Sequence, residues 1–153
     1  MTVGVKQNTI NRILSPGNST AQLSATDFLD CLRRDDLSVL EYATACADQI
    51  EKFDPDLKAW IWYDRDRFLT KAAEADRTLE GHRSAEENAC MLPSSLFGVP
   101  IGVKDIFNTE DMPTCHGSRL SKGYFRGNDA RVVTSLKGHG AIMAGKTVTG
   151  EFA

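Results

Sequence analysis

Lys104 lies at the end of a predicted strand, a position from which its side-chain amine can enter a cavity. Lys104 ends a short apolar segment, LFGVPIGVK at residues 96–104, and Asp105 follows it directly. Because β-branched residues dominate this segment and Pro100 lies near its start, we predict a strand. Burial disfavours the charged form of an amine and lowers its pKa toward the range useful for proton transfer. Lys104 is therefore a candidate general base, and the alternative is a lysine that leaves a strand end into solvent.

The residue after Lys104 belongs to the opposite face of the predicted strand. Successive side chains of a strand alternate between its two faces, so Lys104 and Asp105 point in opposite directions. Asp105 is consequently a poor candidate for holding the Lys104 amine in its charged form. From this segment alone, a lysine that leaves the strand end into solvent is the favoured interpretation, because lysines are seldom buried, and the surrounding segments change that balance.

Three segments, in order and spacing, resemble the amidase signature family of amide hydrolases. They are GVPIGVKDIF at residues 98–107, DMPTCHGS at residues 111–118 and GAIMAGKTVTGEFA at residues 140–153. Each segment alone is a weak signal, whereas the set is specific. The resemblance implies that Lys104 matches the lysine of the Gly-Val-Lys-Asp motif, which belongs to a Ser–cis-Ser–Lys triad in that family.

The resemblance also implies a reaction. A serine attacks the amide carbonyl to form an acyl-enzyme, a cis-serine relays the proton to Lys104, and backbone N–H groups stabilise the oxyanion. No metal or organic cofactor is required. In that family both serines lie in a Gly- and Ser-rich stretch after the Glu-Phe-Ala motif, which occupies residues 151–153 here. We therefore expect this chain to carry only the lysine of the triad.

Two functional hypotheses follow from that expectation. In the first, the chain is the N-terminal part of a single amidase-type domain over residues 1–153, incomplete at its C-terminus, with residues 1–23 as a mobile lead-in. Its substrate would be a small-molecule amide. In the second, it is a non-catalytic fragment or split-gene subunit that needs a complementary chain, or it forms a homo-oligomer, because a sheet cut after residue 153 leaves an unpaired edge.

The amino-acid composition argues against several other functional classes of protein. The chain of 153 residues has 18 basic and 21 acidic residues, a formal net charge of −3 and 41% hydrophobic residues. These values are typical of a soluble globular protein and give no basic surface for nucleic acid. No segment reaches the roughly 20 apolar residues of a membrane span, and the first residues lack the apolar core of a signal peptide, so a cytoplasmic location is expected. The cysteines are too dispersed for a metal site or a disulfide framework: Cys31, Cys46, Cys90 and Cys115.

Capping signals predict four helices. Ser24 begins the first, which fades at residues 33–36, and the pair Ser38 and Glu41 forms a capping box for the second. Asp54 and Pro55 are expected to end the second helix. The other two are a helix from Asp64 to Gly81 and one that begins at Asn128 or Asp129, has Val132, Val133 and Leu136 inside, and is ended by Gly138 and Gly140.

Strands are predicted over residues 57–63, 96–104 and 141–144. Trp60 and Trp62 would share one strand face, where packing is the expected role. The predicted fold class is α/β: a helical N-terminal region followed by the first strands of a mostly parallel or mixed sheet flanked by helices, as in an incomplete amidase-signature-like fold.

Two further motifs invite other chemistry. Residues 140–147, GAIMAGKT, satisfy the phosphate-loop pattern, and a nucleotide-binding module is a minor alternative. That chemistry needs the order strand, loop, helix, whereas the pattern here predicts helix, turn, strand. Cys115 and His116 are adjacent on a loop and are interpreted as turn residues, and Cys46 as a buried apolar residue.

Overall fold

The computed structural model describes residues 20–85, 91–121 and 127–153. These residues form four α-helices and three strands, and after the first two helices the two kinds of element alternate. In chain order the elements are α1 (Ala25–Arg33), α2 (Val39–Leu57), β1 (Trp60–Tyr63), α3 (Arg65–Ala85), β2 (Pro100–Lys104), α4 (Arg131–Gly138) and β3 (Ile142–Thr147). The α/β class predicted from the sequence is confirmed.

Side-chain caps start the helices where the sequence predicts. The Ser24 hydroxyl accepts the Asp27 N–H, and Ser38 and Glu41 cap each other's backbone N–H groups at the start of α2. Asp64 accepts the Arg67 N–H at the start of α3. A long-range cap adds to these, because the Asp76 carboxylate in α3 accepts the N–H groups of Val39 and Leu40 at 2.8 and 2.9 Å.

Several predicted boundaries are wrong. Pro55 lies inside the last turn of α2, which ends at Leu57 and is followed by Lys58 as the C-cap residue in a left-handed conformation. Gly81 does not stop α3, which continues to Ala85. Neither residue breaks its helix, because proline near a C-terminus removes only one hydrogen bond and an isolated glycine costs only about 1 kcal/mol.

The predicted lead-in and the last helix also differ from the structure. Residues 1–19 of the lead-in lie outside the described residues, but Thr20–Gln22 form a 3₁₀ turn. Leu23 is buried and its carbonyl accepts the Tyr42 hydroxyl at 3.0 Å, so it belongs to the core. The N-cap position of α4 is Ala130, which makes no side-chain cap hydrogen bond, rather than Asn128 or Asp129, and Val132 is exposed, whereas Val133 is buried.

The three strands form one mixed sheet with β3 in the centre. Strand β1 pairs antiparallel with β3, and β2 pairs parallel with it. One cluster of buried side chains packs between the sheet and the first three helices, around Phe28, Val39 and Phe68. A second, smaller cluster includes Val103 and Val133 and covers the other face. Because both faces of the sheet are covered, five of the six residues of β3 are buried.

Irregular pairing on both sides of β3 sets which side chains reach which face. Residue 61 is an extra residue of β1, because Trp60 pairs with Thr147 and Trp62 with Lys146. Trp60 packs in the first cluster and Trp62 in the second, so the prediction that they share a face is wrong. A bulge of this kind adds one residue to a strand and reverses the alternation beyond it.

The second bulge lies in β3 itself. Ile101 pairs with Met143 and Gly102 with Gly145, which leaves Ala144 as the extra residue. Ala144 and Gly145 thus both lie on the side of Trp60, and Lys146 turns to the face of Met143. Without the bulge, Lys146 would share the face of Ile142 and Ala144 and point into the helical core.

Substitution of Gly145 by alanine is expected to destabilise the fold by about 1–3 kcal/mol. A Cβ at this position would lie 2.6 Å from the Trp62 carbonyl oxygen and 2.9 Å from Cε3 of Trp60. Gly81→Ala is the matched control, since a Cβ there has open space in the middle of a helix, and we expect a gain of about 0.5–1 kcal/mol. Urea unfolding of both variants measures the difference, and equal stabilities would contradict this account of the bulge.

Candidate active site

Lys104 is the last residue of β2 and its side chain is exposed. It pairs with Thr147 of β3, the strand partner on the same face. Asp105, the next residue, is fully buried on the opposite face. The predicted division of Lys104 and Asp105 between two faces agrees with the exposed side chain of Lys104 and the fully buried side chain of Asp105. The role of Lys104 as a base stays a prediction.

The buried lysine of this region is a different one. Lys146 has no exposed side-chain surface, and its Nζ lies 3.1 Å from Oδ1 of Asp105, which is equally buried. The Lys146 ammonium also donates to the Thr114 hydroxyl at 2.6 Å and to the Pro113 carbonyl at 3.3 Å. Burial lowers the pKa of Lys146 below its ordinary value, although its hydrogen bond and ion pair with Asp105 oppose that change. Lys146 is a structural cation with a partner for each of its three N–H groups.

Asp105 organises the loop at residues 113–118 around its carboxylate. Its carboxylate accepts the N–H groups of Cys115 and Gly117, each at 3.2 Å, and its carbonyl accepts the N–H of His116 at 3.1 Å. His116 and Gly117 both have positive φ, 52° and 68°, and the N–H groups of residues 115–117 all donate to Asp105, two to its carboxylate and one to its carbonyl. The backbone N–H groups of Cys115 and His116 thus bind Asp105 within this loop.

The phosphate-loop pattern has a structural explanation. Gly140, with φ of 84°, makes the turn between α4 and β3, and a Cβ there would lie 2.3 Å from the Ser94 hydroxyl. Gly145 forms the bulge, and Lys146 is buried against Asp105. The observed order is helix, turn, strand, as the sequence predicts. Residues 140–147 therefore give no loop of free N–H groups to bind a phosphate, and the nucleotide-binding alternative does not hold for them.

Ion pairs at the surface fix the loop after β2 in place. Arg67 of α3 pairs with Asp111 and donates to the Met143 carbonyl at 2.9 Å. Lys137 of α4 pairs with Asp111 at 3.3 Å and with Asp129 at 2.7 Å. Two cations and two carboxylates balance each other here, so this cluster joins α3, the loop and α4 and has a structural role.

Neither a metal site nor a membrane-spanning helix is found in residues 20–85, 91–121 and 127–153. No group of three or more His, Cys, Asp or Glu side chains in these ranges is close enough to hold a metal ion. None of their helices is sufficiently long and apolar to cross a bilayer.

Known proteins share both the sequence and the geometry of this region. Residues 41–153 match the sequence model of the family described as Amidase. The chain belongs to the Amidase family. It is 38% identical over 118 residues to a glutamyl-tRNA(Gln) amidotransferase subunit of Mycolicibacterium vanbaalenii, a match that covers 77% of this chain and 23% of the relative.

Solved structures of the Amidase family have the same fold in this region. The native peptide amidase of Stenotrophomonas maltophilia superposes with a TM-score of 0.73 at 32% identity, covering 87% of this chain and 26% of that protein. An amidase family protein of Bacillus anthracis superposes over 100% of this chain and 28% of its own length, with a TM-score of 0.68 and 24% identity. The chain thus spans about a quarter of the length of these relatives.

Cys46 of this Amidase-family chain is expected to resist alkylation. Burial raises the pKa of its thiol to about 11, and burial likewise raises the pKa of the Cys31 thiol. Since the thiolate is the reactive form, both should react with iodoacetamide at pH 8 far more slowly in the native chain than in denaturant. Mass spectrometry of the labelled peptides measures the rates. Cys46 is partly rather than fully buried and packs against the first cluster, and equal native and denatured rates at this residue would contradict that packing.

Proposed function

We propose that this chain supplies the general base Lys104 and its framework to an amidase-type hydrolase of carbon–nitrogen amide bonds. The observation that carries the proposal is the position of Lys104 at the end of β2, in the Gly-Val-Lys-Asp motif of an Amidase-family chain, with its side chain exposed beside the buried Asp105–Lys146 ion pair. The two lysines have separate roles. Lys146 stabilises the fold through its ion pair with Asp105, and Lys104 is available to accept a proton in the reaction.

The reaction proposed is acyl transfer to water. A serine oxygen attacks the amide carbonyl, its proton passes through a cis-serine to Lys104, and the C–N bond breaks as the leaving nitrogen takes a proton back. Water then hydrolyses the acyl-enzyme. Both serines belong to the stretch that the family resemblance puts after the Glu-Phe-Ala motif, so Lys104 is the contribution of residues 1–153.

A lysine accepts a proton near neutral pH only where its surroundings disfavour the ammonium form. Lys104 is exposed in this structure. The proposal therefore requires that the part of the enzyme carrying the serines also covers Lys104. The chain spans about a quarter of the length of these relatives, and the rest of such an enzyme is large enough to supply the residues that cover Lys104.

A chimera tests the proposal. Residues 1–153 are joined to the part of the Stenotrophomonas peptide amidase that follows its counterpart of Ala153, and the product is assayed for release of ammonia from a peptide amide. The same two parts are also mixed as separate chains. We expect hydrolysis by the fused chimera, and hydrolysis by the mixture would support the split-gene hypothesis. A folded chimera without activity would overturn the proposed function.

A further inference from the structure

The Asp105–Lys146 pair connects three parts of the chain that lie around Lys104. Asp105 directly follows Lys104, and its N–H donates to the Thr147 carbonyl at 3.0 Å, so it continues the pairing of β2 with β3. Lys146 comes from β3, which the bulge at Ala144 turns toward Asp105. The third part is the loop at residues 113–118, whose backbone binds both side chains.

The loop at residues 113–118 in turn holds the segment at residues 149–153. The His116 carbonyl accepts the Phe152 N–H at 2.9 Å. A Cβ on Gly117 would lie 2.7 Å from the Thr149 carbonyl oxygen and 2.9 Å from that of Gly150. Only glycine at residue 117 allows this close approach of two backbone segments, and its φ of 68° also favours glycine.

A continuous set of contacts therefore runs from Lys104 to the Glu-Phe-Ala motif. It passes from Asp105 to the N–H groups of Cys115 and Gly117, and from His116 and Gly117 to residues 149–152. The ion pair of Asp105 with Lys146 is fully buried, where a pair is weakly screened and its geometry is sharply defined. This burial is costly for both charges, and simple fold stability does not require it.

We propose that Asp105, Lys146 and Gly117 are positioning residues for catalysis. They fix the direction of residues 149–153 relative to Lys104, and thereby place the serines that follow this segment within reach of the Lys104 amine. The inference rests on the proposed function. None of the three residues touches substrate, and each acts through the loop at residues 113–118.

Two substitutions and one control test the inference in the 153-residue chain. Asp105→Asn removes the charge that holds the loop, and Gly117→Ala disturbs the loop while leaving the ion pair intact. Asp76→Asn is the control, because the Asp76 carboxylate also accepts two backbone N–H groups, but at the start of α2. Hydrogen exchange at the Phe152 N–H should accelerate by about tenfold or more in the first two variants and stay unchanged in the third. An unchanged Phe152 rate in Gly117→Ala would overturn the inference.

The same three substitutions in the chimera test the catalytic consequence. Because a misplacement of about 1 Å costs on the order of 10²-fold in rate, Gly117→Ala should lower kcat by about that factor with KM changed less than about threefold. Asp76→Asn should leave kcat unchanged when activity is corrected for the folded fraction. An active parent chimera with unaffected kcat in Gly117→Ala overturns the positioning role alone. An inactive, folded parent overturns the proposed function.

Discussion

Replacement of Lys104 by alanine is expected to lower kcat for amide hydrolysis by about 10²–10⁴-fold in the chimera, because a positioned proton acceptor contributes that much to the rate. The fold should be unaffected. The Lys104 side chain is exposed, and substitutions at such sites usually change the free energy of unfolding by less than about 0.5 kcal/mol. Steady-state kinetics and urea unfolding of the same preparation measure both effects.

A second exposed lysine gives the control for this experiment. Lys52 lies on the surface of α2, and Lys52→Ala should retain full activity. Added methylamine should partly restore the rate of Lys104→Ala, since a free amine can occupy the vacated space and accept the proton. Near-normal turnover of Lys104→Ala without added amine would reject its role as the base.

Substitution of Lys146 by methionine is expected to destabilise the chain by about 3–5 kcal/mol, which is the usual cost of leaving one charge of a buried pair without its partner. Methionine preserves the approximate length and volume of the side chain, so the effect reports the charge. Asp105 would then keep only its backbone donors, Cys115 and Gly117, and Thr114 would lose its donor.

Lys104→Met provides the matched comparison for Lys146→Met. It makes the same chemical change on the neighbouring strand, at an exposed side chain, and should leave stability within about 0.5 kcal/mol of the parent. Thermal or urea unfolding of the two variants gives the difference directly. A loss below about 1 kcal/mol for Lys146→Met would show that Asp105 does not depend on this partner.

Local sequence signals predict the starts of the first three helices, whereas the start of α4 has no side-chain cap. The caps at Ser24, Ser38 and Asp64 each depend on residues three positions apart, so the sequence contains the whole interaction. The strand that ends at Lys104 and the helix-turn-strand order before Lys146 are likewise encoded in short segments. Propensity alone predicts helix ends at Pro55 and Gly81, whereas both helices continue past these residues because each costs little near a helix end.

The buried pair and the bulges could not be predicted from local patterns. Lysines are rarely buried, and strict alternation would place Lys146 on the face of Ile142 and Ala144. The bulges at Ile61 and Ala144 reverse this alternation, and they depend on pairing between strands far apart in the chain. Gly145 was the available signal, since an isolated glycine within a strand often marks a bulge or a close approach of another backbone.

The opposite burial of the neighbouring residues 104 and 105 determines which kinds of genetic change this region can tolerate. Gain or loss of a single codon between residues 101 and 104 would exchange their surroundings, so that an amine entered the interior and a carboxylate left it. Conservative replacement of either neighbour preserves that pattern. We therefore expect related sequences to differ in this region by substitutions, and not by insertions or deletions between Ile101 and Asp105.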